Sequence, residues 1–409
     1  MARVLMMTST LPRSQQDTTI AHFVFDLAKE LAHNHDHEIR ILAPHMPNTP
    51  TYEVWDGVEI VRFRYFVPGF ETLAQGGIMS RVKKNPGYVL MAVFFMTSLI
   101  IHTFVHILRF RPNRIHAHWV FPSGFVAWLV TRMLRTPYMV TSHGSDATQL
   151  TKVPTAKAET QSRAAQIRAF VHKGVMTVFS PLFRTVNTVC IRHASMVTAV
   201  SNGIAQKLQE KVPNKPISII PMGIRSEFFV PPQGLRTRQL ISVGRLDMDK
   251  GFQDVIRVLP QLPEEIRYTI VGEGNARQEL SDLAAELGVS ERVSLVGSKS
   301  ASEIRALFDA SALFVHPSRH EGFGLVVVEA MASRIPVMTS DIAALQVHTQ
   351  EGRGISLNTQ DTIVFGEAIT RALQEHQDQG IEQAYQYSVQ YRWDTVAQEF
   401  DILYQELSQ

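Results

Sequence analysis

A single cysteine, Cys190, stands among 409 residues. An intrachain disulfide and a cysteine-rich metal site are thereby excluded, and a reducing compartment is the expectation. No HExxH pair is present, so that zinc signature is missing too. Glycine is absent from the start of the chain, the first being Gly57. Acids are scarce in the first part: residues 1–222 hold 12 Asp and Glu against 24 Lys and Arg, whereas residues 223–409 hold 26 against 16. The net charge of +2 therefore hides a basic half joined to an acidic one. A basic half suits an anionic partner, such as a membrane surface or a phosphorylated acceptor, although uneven solvated surface gives the same count. MARVLMMTS reads as a first strand, because polar residues from Thr8 onward cut its apolar run too short for a secretory core.

What is present is ordinary for a soluble globular chain, with 45% apolar and 19% charged residues. The length exceeds one compact core and implies two domains. RVLMMTS, EIRILAP, VEIVRFRYF, RIHAHWV, PYMVTSHG and SMVTAVS read as strands, spaced by helix-period segments such as IAHFVFDLAKELA. Residues 211–238 are rich in proline and turn signals, and a second alternating series starts at LISVGR. The expectation is an α/β chain of two doubly wound Rossmann-like domains, residues 1–222 and 223–393, facing each other across a cleft. Ligands bind such sheets at the carboxyl ends of the strands. The last segment, YRWDTVAQEFDILYQ, is amphipathic and reads as a helix. Tyr88–Phe110 has the length of a membrane span, yet it contains His102, His106 and Arg109. A span, a membrane-contacting helix and a plain core helix all remain open for it.

Chemistry concentrates in a few places. LISVGRLDMDKG ends a strand at Gly244 and projects Arg245 and Lys250 from one loop, a suitable grip for a diphosphate. Asp247 and Asp249 imitate an Asp-x-Asp metal ligand pair, but two cations already occupy that loop. VGEGNAR lacks the third glycine of a dinucleotide fingerprint, with Arg277 in its place, and reads as a packed turn. RIHAHWV and TSHGSD put His116, His118 and His143 at strand ends; no third metal ligand is evident, and His143 fits better as a hydrogen-bonding group. In RHEGFGLVVVEAMA, Glu321 and Glu329 stand eight residues apart around a Gly322-Phe323-Gly324 turn and Leu325. A helix starting near Gly324 would aim free N–H groups at anionic oxygens, while the two carboxylates accept hydroxyl protons of a ribose or sugar.

SVGRLDMDKG, YTIVGEG, VSLVG, FVHPSRHEGFGLVVVEAMA, SDIAAL and EGRGISL occur in the order that resembles family 4 of the retaining glycosyltransferases, whose fold is GT-B. HAHWVFPSGF, TSHGSDA, VTAVS and IIPMGIRSEFFVP extend the likeness over nearly the whole chain. The first half is most similar to bacterial enzymes that build exopolysaccharide, teichuronic acid or lipopolysaccharide. The resemblance implies that Arg245 and Lys250 grip the donor diphosphate, that Glu329 binds the ribose, and that Glu321 and His143 lie near the transferred sugar. It also implies a closing helix, residues 394–409, that crosses back onto the first domain. Ser14, Gln15, His118 and Asp146 are candidates for the acceptor side. No metal or cofactor is implied, only a nucleotide-diphosphate sugar, UDP- or GDP-linked, and a glycolipid or glycan acceptor. The expected place is the cytoplasmic face of the inner membrane, with an anionic membrane surface as partner and no nucleic acid. Two alternatives stand beside this reading: a nucleotide-sugar epimerase on the same fold, and a catalytically impaired binding subunit. The second is prompted by Ser14-Gln15-Gln16-Asp17 and Ala343-Ala344, where the family often has glycine.

Overall fold

The computed structural model describes residues 1–74, 78, 81–82, 87–144, 184–234, 236–375 and 378–407. Asp146 and nearly all of the 151–185 stretch lie outside them. The chain forms two compact units, one of Met1–Gln15, His22–Ile220 and Ala397–Gln409, the other of Gln16–Ala21 and Pro221–Val396.

The first unit holds β1 (Arg3–Met7), β2 (Glu38–Pro44), β3 (Tyr52–Trp55), β4 (Val58–Phe63), β5 (Arg114–His118), β6 (Tyr138–Ser142), β7 (Met196–Ala199) and β8 (Ser218–Ile219). They form an eight-stranded sheet in the order β3-β4-β2-β1-β5-β6-β7-β8. Val4, Leu5, Met6 and Met7 are all fully buried, as a strand covered on both faces requires. One element departs from the parallel pattern read in the sequence: β3 pairs antiparallel with β4. The Asp56-Gly57 turn makes that hairpin, both residues adopting positive φ, as a tight two-residue connection demands.

The 23-residue helix Tyr88–Phe110 leads into β5. It buries Phe95, Leu99, Thr103, Ile107 and Phe110, one stripe at intervals of three and four. The opposite stripe is exposed, so the plain core helix is not what forms. The last helix, Trp393–Glu406, buries Val396, Ala397, Phe400 and Tyr404. Its second half belongs to the first unit, where Asp401 takes a hydrogen bond from His37 at 2.8 Å. The Tyr404 hydroxyl meets His116 Nδ1 at 2.8 Å, and the Tyr404 carbonyl accepts from the Arg114 guanidinium.

The second unit holds β9 (Thr237–Val243), β10 (Arg267–Val271), β11 (Val293–Leu295), β12 (Ser311–His316), β13 (Val337–Ser340) and β14 (Ile355–Leu357). Their order is β11-β10-β9-β12-β13-β14, with every pairing parallel. The chain winds outward from β9 in one direction and from β12 in the other. The two strands are neighbours, so their carboxyl ends form the topological switch point where such sheets bind ligands. The loop 244–251 follows β9 and the loop 317–324 follows β12, so both meet there.

Candidate functional site

Glycine permits these two loops to touch. Gly251 has φ +75°, and a Cβ there would overlap the Pro317 carbonyl. Gly272, at φ +140°, would likewise drive a Cβ into the Gly244 carbonyl, so VGEG is a turn packed on the first loop. Arg319 fastens the contact. It donates to both oxygens of buried Asp254 at 3.0 Å and to the Met248 carbonyl at 2.8 Å. Asp247 caps the 3-10 turn Met248–Lys250 by accepting from Asp249 N, which gives that carboxylate a structural role.

Held in this way, Lys250 Nζ lies 2.5 Å from Glu321 Oε1, and His316 Nε2 donates to the same oxygen at 2.7 Å. Burial alone would raise the Glu321 pKa, but the His316 and Lys250 contacts outweigh it and bring it down to about 2. Glu321 is therefore a carboxylate at any working pH. Arg245 does not join this cluster. Its side chain is largely exposed and pairs with Asp247 at 3.3 Å. Gly324 caps the helix Leu325–Ala332, where Leu325, Val326 and Glu329 are the half-exposed residues and Val327, Val328 and Met331 are buried. Glu329 thus lies one turn inside the helix and is half-buried.

A second set of the expected residues sits in the first unit. His118 ends β5 and His143 directly follows β6, with His118 Nδ1 and His143 Nε2 3.0 Å apart. Phe23 and Trp119 pack on the His143 ring, with centroids 4.8 and 4.6 Å away. Burial keeps His143 well below the ordinary histidine pKa and lowers His118 to about 3, so both are neutral. Ser14 and Gln15 lie in the loop after β1, the strand beside β5. The Gln15 side chain is hydrogen-bonded to Asp56.

A Glycosyl transferases group 1 model matches residues 224–387, and a Glycosyl transferase 4-like domain model matches residues 18–223, half of the chain. The chain belongs to glycosyltransferase family 4. Its fold is GT-B. It is 27% identical over 277 residues to the teichuronic acid biosynthesis glycosyltransferase TuaC of Bacillus subtilis, across 64% of this chain and 61% of that one. The aligned part is thus less than two thirds of that relative. An uncharacterized glycosyltransferase of Methanocaldococcus jannaschii is 25% identical over 76% of this chain and 79% of its own. Among solved structures, sucrose-phosphate synthase from Thermosynechococcus elongatus superposes with a TM-score of 0.76 at 19% identity, covering 100% and 99% of the two chains. HepE from Anabaena, in complex with UDP and glucose, gives 0.67 at 15%, covering 99% and 100%.

Three supports of this cluster were not foreseen: His316, the Arg319–Asp254 pair, and His348. His348 Nε2 donates to the Phe323 carbonyl at 2.7 Å, while its Nδ1 accepts from Tyr387, which meets Tyr391 at 2.7 Å. This row fixes the backbone between Glu321 and the helix. Burial lowers the His348 pKa to about 4, so the unfolded chain takes up a proton first as pH falls below 6.5. Stability contributed by the neutral ring is complete above pH 6.5 and declines toward pH 4, by about 1.4 kcal/mol per pH unit. Calorimetric melting of His348→Leu between pH 7 and 4.5 should accordingly show a flatter profile than the unsubstituted protein. Parallel profiles would refute the neutral-imidazole assignment.

Proposed function

We propose that this glycosyltransferase takes a sugar from a UDP- or GDP-linked donor and transfers it with retention of anomeric configuration. The acceptor is lipid-linked or a polysaccharide, the setting bacterial envelope or exopolysaccharide synthesis at the cytoplasmic face of the inner membrane. The observation that carries this reading is the Lys250–Glu321 pair at the switch point between β9 and β12. In this pair the carboxylate balances the ammonium. When a diphosphate arrives, Lys250 exchanges partners and stabilises its charge, helped by the free N–H groups at Leu325. Glu321 is then released to accept hydrogen bonds from sugar hydroxyls, and Glu329 from the ribose. Arg245, exposed on the same loop, swings from Asp247 onto the diphosphate.

Chemistry follows on one face of the sugar. The bond from the anomeric carbon to the diphosphate oxygen breaks as the bond to the acceptor oxygen forms. The departing phosphate takes the acceptor proton, so no side-chain nucleophile and no metal are needed. His143 stands by as a neutral hydrogen-bonding group near the sugar. HepE, solved with UDP and glucose, and TuaC, named for teichuronic acid biosynthesis, support the donor and acceptor classes.

A donor screen with mass-spectrometric detection tests the proposal. Nucleoside diphosphate should appear together with a new glycosidic bond, at the same rate with and without EDTA. An isomerised free nucleotide sugar would instead show an epimerase. Calorimetric binding of UDP, GDP or ADP without turnover would show a binding subunit.

A further inference from the structure

The exposed stripe of Tyr88–Phe110 has no counterpart in the transfer reaction. Leu90, Phe94, Ile101 and Leu108 are each about half exposed, at 60%, 48%, 56% and 52%. Their spacing of four, seven and seven residues puts them on one line of the helix, about 27 Å long at 1.5 Å per residue. The preceding loop adds Val67 and Phe70, also exposed, and the Phe66 ring lies 5.8 Å from Phe94. Single exposed leucines are common on any surface, whereas an apolar strip of this length, interrupted at Thr97, marks an interaction face.

Charge within the segment that carries the strip has one sign, and the acids beside the helix end, Glu38 and Glu59, are paired with Arg3 and Arg40. Residues 72–145 contain no Asp or Glu and eight Lys and Arg. Arg109 and Arg111 are exposed at the end of this helix, and Arg132 and Arg135 at the end of Phe125–Leu134, which packs against it. These helices run into the neighbouring parallel strands β5 and β6, so all four arginines gather at the amino edge of the sheet. A second copy would bring the same cations against them, which disfavours self-association. An anionic surface with an apolar interior suits both features.

We propose that this face docks on an anionic lipid bilayer, the Leu90–Leu108 stripe lying in the headgroup boundary and the arginines contacting lipid phosphates. The helix lies along the surface and does not cross it, because Phe95, Leu99, Thr103 and Ile107 remain packed in the first unit. It deepens the membrane setting of the proposed function by naming the contact face, and vesicle binding is read without any transfer assay.

Co-sedimentation with phosphatidylglycerol-containing vesicles, against pure phosphatidylcholine, is the test. The full chain should bind the anionic vesicles and weaken as salt rises. Leu90→Glu and Ile101→Glu, both at exposed positions, should each lower partitioning about ten-fold or more, the effect expected for losing one apolar side chain's burial and adding a charge. Thr97→Cys gives a second reading free of any folding defect, since Cys190 is buried and escapes labelling. A polarity-sensitive dye at residue 97 should shift to the blue with anionic vesicles. Unchanged binding by the Glu variants, or an unshifted dye, would overturn the proposal. So would vesicle-free dimerisation that Ile101→Glu abolishes, or an alkali-resistant, membrane-spanning form.

Discussion

Lys250→Ala should lower kcat/KM by about 10²–10³-fold, the range seen when one preorganised charge-stabilising group is removed from a transition state. The loop should survive the change. Its shape is set by Gly251 against Pro317, by Asp247 capping the 3-10 turn and by Arg319 clamped on Asp254, none of which uses the Lys250 side chain. Glu321 keeps its bond from His316 and stays ionised. Circular dichroism and melting should therefore match the unsubstituted protein while nucleotide release collapses. Lys250→Arg should recover only part of the rate, because a planar guanidinium cannot reproduce a compact ammonium in a side chain only 20% exposed. A Lys250→Ala enzyme retaining a third or more of its turnover would remove the diphosphate grip from the proposal.

The largest stability effect is expected at Tyr404→Ala. Tyr404 is fully buried in the first unit, and deleting its ring from such a site costs about 3–5 kcal/mol. A further penalty comes from His116. Its Nδ1 loses the tyrosine hydroxyl while its Nε2 stays tied to Thr141, itself bonded to Thr198, both at 2.7 Å. An imidazole nitrogen left buried and unsatisfied adds about 1–3 kcal/mol. Together these approach the whole stability of an ordinary domain. Tyr404→Phe, which keeps the ring, should lose only the second part. Urea unfolding followed by limited proteolysis separates the two variants. Equal midpoints for Tyr404→Ala and the unsubstituted chain would show that the helix end contributes nothing to this core.

The fold was readable because its signals are local. Alternation of short apolar runs with 3.6-period segments sufficed for two parallel sheets. The β3–β4 hairpin escaped notice although Asp56-Gly57 announces it, since the four residues of β3 are few beside the helices around them. At the site, Lys250 and Glu321 were legible as residue types following strands that start a diphosphate loop and a helix. Their 2.5 Å contact was not, being set by the β9–β12 adjacency across 71 positions. Arg245 was expected beside Lys250, and its side chain pairs instead with Asp247 on the same loop. His348 and the Arg319–Asp254 clamp act at distances of 25 and 65 residues, where spacing in the chain carries no signal.

The helix from Trp393 bears on how the molecule is made. A nascent chain normally completes its first domain while later parts are still being translated. Here that order is inverted, because Phe400 and Tyr404 fill the first unit from beyond the whole Pro221–Val396 segment. Until the ribosome has delivered them, the Arg114 and His116 side chains of β5 wait without their cover, and the segment from Pro221 to Val396 can settle first. Fragments ending near Ile220 should accordingly be less soluble than the full chain.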